Sequence, residues 1–158
     1  MTENLVISTQ ERSFLLEAVA LAREAGNRGN LPIAAVIVLD GEIVSRGQNA
    51  IWQPALELTC HAEMEALRSL PFPLRVHCPE MTLFTTLEPC LMCAGALLLH
   101  KIGRLVFGSN DPYGGVSSCV GSLPPFFKEQ FTKTQWVGPA LPDECDPLYH
   151  HIKVLEGI

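Results

Sequence analysis

Basic residues are scarce in this chain, and no two of them are adjacent. The 158 residues include 11 Lys and Arg against 17 Asp and Glu, which gives a formal net charge of −6. Proteins that bind a phosphate backbone normally carry a basic stripe. The composition therefore argues against nucleic acid as the main partner, unless two copies of the chain together assemble a patch that one copy does not show.

Long hydrophobic runs are also lacking. No apolar stretch approaches the roughly 18 residues of a membrane-spanning helix, and Met1–Asn4 is not a basic region leading into an apolar one. We therefore expect no membrane span, no signal peptide and a cytoplasmic location. In that compartment the six cysteines are expected to be metal ligands or free thiols rather than disulfides. The length fits one domain over residues 1–158.

Two short motifs carry most of the chemical information: His61-Ala62-Glu63 and Pro89-Cys90-Leu91-Met92-Cys93. One imidazole and two thiolates are good zinc ligands, and a tetrahedral zinc with three protein ligands keeps a fourth position open, as catalytic sites do. Glu63 follows His61 by two residues and is suited to move the protons of a water in that position. We therefore predict a catalytic Zn²⁺ held by His61, Cys90 and Cys93, with Glu63 as the catalytic residue.

Two other interpretations of these cysteines exist. A lone Cys-x-x-Cys can be a redox pair, but such a pair needs no distant His-x-Glu. A structural zinc usually has four protein ligands, and the chain has no second Cys-x-x-Cys. Cys60 is adjacent to His61, but neighbouring side chains on a helix point about 100° apart. The catalytic site is the preferred interpretation, and the other two remain open at this stage.

Hydrophobic periodicity predicts helices that alternate with strands. A capping box at Ser8–Glu11 opens a helix that stops at Gly26, and Ile33–Leu39 is typical of a strand buried on both faces. Asp40-Gly41 predicts a hairpin turn into a partner strand. Further elements are predicted as a helix from His61 to about Leu70, a strand at Met81–Leu87, a helix to about His100 with Pro89 in its first turn, strands at 105–107 and 135–137, a loop at 109–125 and a last helix at 143–155. This order predicts a mixed sheet between helices.

The motifs resemble those of the cytidine/deoxycytidylate deaminase superfamily, and especially its tRNA adenosine deaminases and its guanine or cytosine deaminases. The resemblance rests on His61-Ala62-Glu63, on the run Thr86–Leu97, and on Leu31–Val36 and Gly47–Asn49, and it covers about residues 8–115. His-x-Glu followed by Pro-Cys-x-x-Cys is typical of zinc deaminases of nucleobases. The resemblance implies an α/β fold, a three-layer α/β/α sandwich with a five-stranded mixed sheet, and usually a homodimer.

The same resemblance implies substrate contacts beyond the zinc. It assigns Asn49 a hydrogen bond to the base, gives the backbone N–H of Ala62 a contact with a ring substituent, and places Asp111 and Tyr113 on a loop that faces the substrate. Trp52 is a candidate for covering the mouth of the site, with simple burial as the alternative.

These features give a ranked set of functions. The leading hypothesis is hydrolytic deamination of a free nucleobase or nucleoside, because the chain is acidic and because residues 50–59 and 143–153 are poor in Lys and Arg. The second hypothesis is deamination of the wobble adenosine of tRNA, which the resemblance favours. The third is a non-catalytic zinc-binding subunit, against which the presence of Glu63 argues. The expected partners are a small nucleobase or nucleoside and a second copy of the chain, with tRNA less favoured and no membrane.

Overall fold

A computed structural model of the chain describes residues 7–158, so the signal-peptide prediction at Met1–Asn4 concerns residues outside this range. Helices and strands alternate along the described residues. The helices are α1 (Thr9–Asn27), α2 (Ala62–Ser69), α3 (Leu91–Leu99), α4 (Pro125–Lys133) and α5 (Pro142–Glu156), and the strands are β1 (Ala34–Leu39), β2 (Glu42–Gln48), β3 (Thr82–Leu87), β4 (Arg104–Ser109) and β5 (Gln135–Val137). Two 3₁₀ helices, Phe72–Glu80 and Val116–Ser122, connect them.

The five strands form one mixed sheet in the order β2-β1-β3-β4-β5. β1 is antiparallel to both of its neighbours, whereas β3, β4 and β5 are parallel. The tight Asp40-Gly41 turn between β1 and β2 has positive φ at both residues, 51° and 78°. That geometry matches the right-handed twist of a two-residue hairpin, and it confirms the predicted turn.

Helices cover both faces of this sheet. Successive residues of β1 point to opposite sides, so Ala35 and Ile37 join one hydrophobic cluster and Val36 and Val38 join the other. The first cluster includes buried residues of α2 and α3, and the second includes buried residues of α1 and of the beginning of α5. The predicted three-layer α/β/α sandwich with a five-stranded mixed sheet is therefore confirmed.

The beginning of α1 was predicted correctly, but its end was not. Ser8 and Glu11 form the reciprocal hydrogen bonds of a capping box. Gly26 does not stop the helix, which continues to Asn27. The glycine with a left-handed backbone is Gly29, at φ 88°, and glycine adopts that conformation without the steric penalty of a Cβ.

The structure corrects three other predicted elements. Pro89 does not lie in the first turn of α3, because Cys90 has an extended backbone (ψ 172°) and the helix begins after it. The predicted loop at 109–125 contains the 3₁₀ helix Val116–Ser122. Helix α4 was not predicted at all, because its nine residues, of which only Gln130 is buried, are too few for hydrophobic periodicity to identify a helix.

Within residues 7–158, no helix combines the length and the apolar character that crossing a membrane requires.

Candidate active site

The beginnings of α2 and α3 bring three potential metal ligands together. His61 is the N-cap residue of α2, Cys90 is the N-cap residue of α3, and Cys93 lies in the first turn of α3. The ligand atoms of all three residues lie within 4.8 Å of one another. Residues remote in sequence therefore form one compact group that could hold a metal ion.

The spacing of the three atoms suits zinc. His61 Nδ1 lies 3.6 Å from the Sγ atom of Cys90 and 3.6 Å from that of Cys93. A sulfur at about 2.3 Å and a nitrogen at about 2.0 Å from a tetrahedral zinc are roughly 3.6 Å apart. The set contains two thiolate donors and one imidazole, which zinc prefers over hard oxygen-ligated cations such as Mg²⁺. The donor geometry and chemistry both fit a zinc ion with an open fourth position.

The electrostatic environment of His61, Cys90 and Cys93 favours the binding of a cation. A hydrogen bond from Cys93, together with a smaller one from His61, lowers the pKa of the Cys90 thiol to about 4 against the opposing effect of burial. The same contact with Cys90, together with burial, raises the pKa of Cys93. The hydrogen bond to Cys90 also raises the pKa of His61. Cys90 is thus a thiolate at neutral pH at the positive end of a helix dipole.

Glu63 lies in the first turn of α2 and is only 4% exposed. Its Oε1 accepts a hydrogen bond from Thr85 Oγ1 at 3.2 Å, and its Oε2 lies 3.5 Å from Cys93 Sγ, which donates to it. Burial is the largest of the effects that raise the pKa of this carboxyl. A buried carboxyl with a raised pKa beside a metal-binding group is suited to accept and then donate a proton.

Asn49 and Ala62 lie next to this group. The backbone of Ala50 donates to Cys60 O at 2.9 Å, which brings Asn49 beside the segment that carries His61. Asn49 Oδ1 accepts the N–H groups of Leu31 and Ile51, so the orientation of the amide is fixed. Its Nδ2 is buried without a hydrogen-bond partner among the described residues. Ala62 is fully buried in the first turn of α2.

The other three predicted contacts have different surroundings. Trp52 is half-buried and packs against the hydrophobic cluster that includes α2 and α3, and its backbone N–H donates to Asn30 Oδ1. Tyr113 is 75% exposed. Asp111 Oδ1 accepts hydrogen bonds from Tyr113 N, Gly114 N and Tyr149 Oη. Trp52 is therefore packed against the core, Asp111 is held by hydrogen bonds, and Tyr113 is open to solvent.

Two further polar residues lie at the site outside the predicted set of site residues. Thr85 is fully buried in β3 and contacts Glu63, and Glu88 is a buried carboxylate just before Pro89. No sequence feature distinguishes Thr85, because β3 contains three threonines, Thr82, Thr85 and Thr86. The hydrogen-bond partners of Glu88 come from a segment more than twenty residues further along the chain, so no local pattern indicates them.

A comparison with protein families identifies this arrangement. Residues 8–109 match the cytidine and deoxycytidylate deaminase zinc-binding region. The chain belongs to this deaminase family. The match spans α1 to β4 and includes His61, Glu63, Cys90 and Cys93.

Several curated members of the family have similar sequences. The tRNA-specific adenosine deaminase of Bacillus subtilis (strain 168) is 37% identical over 139 residues, which is 87% of this chain and 84% of that protein. The tRNA-specific adenosine deaminase of Agrobacterium fabrum is 41% identical over 107 residues, which is 66% of this chain and 70% of that protein.

Solved structures of two kinds of deaminase also resemble the chain. A structure from studies of A-to-I editing by tRNA:A34 deaminases is 35% identical, with a TM-score of 0.65 over 74% of this chain and 92% of that one. A guanine deaminase from Bacillus subtilis is 33% identical, with a TM-score of 0.54 over 66% of each chain. A guanine deaminase from Nitrosomonas europaea shares the fold at 20% identity, with a TM-score of 0.70 over 95% of this chain and 88% of that one.

Proposed function

We propose that this chain is a zinc-dependent hydrolytic deaminase whose substrate is an adenosine in tRNA. The observation that carries the deaminase assignment is the buried Glu63 carboxylate beside the His61, Cys90 and Cys93 group. Neither a redox pair nor a closed structural metal site requires a buried proton carrier in contact with one of the thiols. A non-catalytic subunit would also have no need for the buried Glu63 carboxyl group.

In this proposal His61, Cys90 and Cys93 would hold the zinc, which when bound would supply a water with its pKa lowered to about 7. Glu63 would accept one proton of the attacking water and transfer it to a ring nitrogen of the base, while the water oxygen adds to the ring carbon that carries the amino group. Glu63 would then transfer the remaining proton of the new hydroxyl to the amino group, so that the C–N bond breaks, ammonia leaves and a carbonyl replaces the amine. Thr85 holds one oxygen of the Glu63 carboxylate during these transfers.

Asn49 is the proposed contact with the substrate ring. Its Nδ2 is a buried donor that no described residue satisfies, and an unsatisfied buried donor costs about 1–3 kcal/mol. A ring nitrogen or carbonyl oxygen that accepts from this amide would recover that free energy. Ala62, Trp52, Asp111 and Tyr113 stay predictions as further contacts.

Two observations support tRNA as the substrate. The tRNA-specific deaminases named above are similar over most of this chain, including parts of it beyond the two motifs. In addition, a groove of about 450 Å³ next to Asn49 is lined by Arg28 and by the amides of Asn30, Gln48 and Gln53, together with Glu65 and with Arg46, which is ion-paired with Glu17. The Arg28 guanidinium group, which has no ion pair among the described residues, and the amides suit the phosphates and sugars that flank a flipped base.

A second candidate is the deamination of a free nucleobase such as guanine. The acidic composition and the scattered basic residues favour it, and a guanine deaminase is 33% identical over 66% of this chain. A free base has no phosphate, so it would need the Asn49 contact but not the arginine-lined groove.

Ammonia release by the full chain tests these proposals. The substrates would be an anticodon stem-loop, adenine, guanine, cytosine and their nucleosides. Wild type would be compared with Glu63→Ala and with the control Glu80→Ala, which changes an exposed glutamate outside the groove. We expect wild type to deaminate the stem-loop, Glu63→Ala to lose about 10²-fold or more of the rate, and Glu80→Ala to retain it. Turnover of a free base alone would favour the second candidate, and no turnover of any substrate would refute both.

The association state is proposed from family membership alone. We propose a homodimer, and sedimentation at micromolar concentration would measure its mass.

A further inference from the structure

Glu88 is a buried carboxylate that the proposed chemistry does not use. It is 4% exposed and lies between the end of β3 and the Pro89-Cys90 turn that carries a metal ligand. Within residues 7–158 it forms no ion pair with Lys, Arg or His. A buried charge without a counter-ion must be stabilised by hydrogen bonds.

The donors all come from one segment, Asp111–Ser117. Glu88 Oε2 accepts the backbone N–H of Asp111 at 2.9 Å. Glu88 Oε1 accepts the backbone N–H of Ser117 at 3.0 Å and also the hydroxyl of Ser117. Both ends of the segment are thus attached to the same carboxylate, and both carboxylate oxygens are occupied by protein donors.

These bonds hold the segment against the second metal-binding turn. Val116 N donates to Pro89 O at 2.9 Å, and Gly115 pairs with Cys90 in an isolated antiparallel bridge. A Cβ on Gly115 would come within 2.4 Å of Glu88 Cδ, so the contact leaves no room for a side chain there. The segment carries Asp111 and Tyr113, and it lies beside Cys90 as one side of the site.

A second attachment comes from the C-terminal helix. Tyr149 Oη donates to Asp111 Oδ1 at 2.7 Å, and Ser109 Oγ donates to Asp146 Oδ1 at 2.5 Å. Asp146 and Tyr149 are three residues apart on α5 and therefore share a helix face. The segment is fixed between Glu88 on one side and α5 on the other.

We propose that Glu88 is a positioning residue, which holds Asp111–Ser117 against Cys90 and thereby sets one wall of the substrate pocket. It acts through the segment and does not exchange protons with the substrate. This inference rests on the proposed deaminase function, because the wall matters only if a substrate binds beside Cys90. The carboxylate is needed because only an acceptor with two equivalent oxygens satisfies donors at both ends of the segment.

Glu88→Gln tests this role, because the amide keeps the shape but replaces one acceptor oxygen with a donor. We expect KM for the substrate that wild type deaminates to rise about tenfold in this variant. Its kcat should stay within about threefold of the wild-type value, and the ratio of zinc to protein should be unchanged. Amide hydrogen exchange at Asp111 and Ser117 should accelerate. Ser117→Ala, which removes only the hydroxyl donor, should shift KM and exchange in the same direction by less.

Thr134→Val is the matched control. It removes a buried hydrogen bond from Thr134 Oγ1 to Ile102 O at 2.9 Å. This bond lies just before the beginning of β4, whereas the segment Asp111–Ser117 follows the end of that strand. It should lower the melting temperature without changing KM or exchange in the segment.

The proposal is overturned if Glu88→Gln leaves both KM and amide hydrogen exchange in the segment unchanged. If Glu88→Gln does not fold, the same result in Ser117→Ala overturns it. It is also overturned if Glu88→Gln loses zinc, or if it behaves like Thr134→Val. A wild type that deaminates nothing refutes the proposed function instead, and hydrogen exchange then still decides whether Glu88 holds the segment.

Discussion

The Thr85 hydroxyl in β3 donates a hydrogen bond to the Glu63 carboxylate in α2 at 3.2 Å. Thr85 lies in the interior of the sheet, where its backbone is paired with Ala35 on one side and Phe107 on the other. A residue in the centre of the sheet therefore sets the orientation of the carboxylate. A proton carrier that is held in one orientation needs less reorganisation during the reaction.

The first prediction concerns this contact. Thr85→Val has nearly the same volume but no hydroxyl, so Glu63 loses its only described partner in the sheet. We expect kcat to fall about tenfold and KM to change little, because a hydrogen bond to a charged group contributes about 1.5–3 kcal/mol. Steady-state kinetics of the variant would measure both. Thr82→Val, on the same strand but at its half-exposed beginning, should be neutral, and an unchanged kcat in Thr85→Val would count against the role of Thr85.

The second prediction concerns the metal. Cys93→Ser replaces a thiol with a much poorer zinc ligand in the centre of the group, so we expect it to purify with little zinc and no activity. Cys119→Ser is a suitable control, because this half-buried thiol donates only to Val116 O. Elemental analysis of both proteins gives the zinc content per chain. Full zinc in Cys93→Ser would show that the ion binds elsewhere.

The third prediction separates tRNA from a free base. Arg28 follows α1, lines the groove beside Asn49, and forms no ion pair with any residue that the structure describes. If the groove binds phosphate, Arg28→Ala should weaken stem-loop binding and reduce the slope of log K against log salt concentration by about 1. Arg12→Ala, near the other end of α1, should leave both unchanged. Equal effects of the two variants would place the RNA outside the groove.

The fourth prediction concerns the packing of α2 on the sheet. A Cβ on Gly47 would lie 2.1 Å from Ala62 O and 2.3 Å from Ala66 N, which are backbone atoms of α2. Gly47→Ala should therefore displace the helix that begins at His61 and lower the free energy of unfolding by about 1–3 kcal/mol. Gly121→Ala meets no described atom within 4 Å and should be nearly neutral. Urea denaturation of both variants would measure the difference.

The sequence predicted those features that depend on neighbouring residues. The capping box at Ser8, the Asp40-Gly41 turn and the burial of β1 follow from local chemistry, and all three are present. The grouping of His61 with Cys90 and Cys93 was also predicted, because a metal site requires those donors to meet wherever they lie in the chain.

The sequence did not predict features that depend on contacts between distant segments. The partner of Glu63 is a threonine in a strand, and Glu88 is satisfied by Asp111 and Ser117. Neither pairing has a fixed spacing that a pattern could reveal. The ranking of substrates rested on net charge, which averages over the whole surface and does not indicate that Arg28 lies in a groove beside Asn49.

His61 and Cys90 occupy the N-cap positions of α2 and α3, yet in the described structure neither side chain caps its helix. Serine or aspartate at such a position contributes about 1 kcal/mol to helix stability. Both helices therefore begin with a residue that is a good metal ligand and that does not cap the helix. One bound zinc would then join two helix ends like a cross-link, and its binding free energy would add to that of folding. Zinc would thus raise the free energy of unfolding of the protein as well as support its activity.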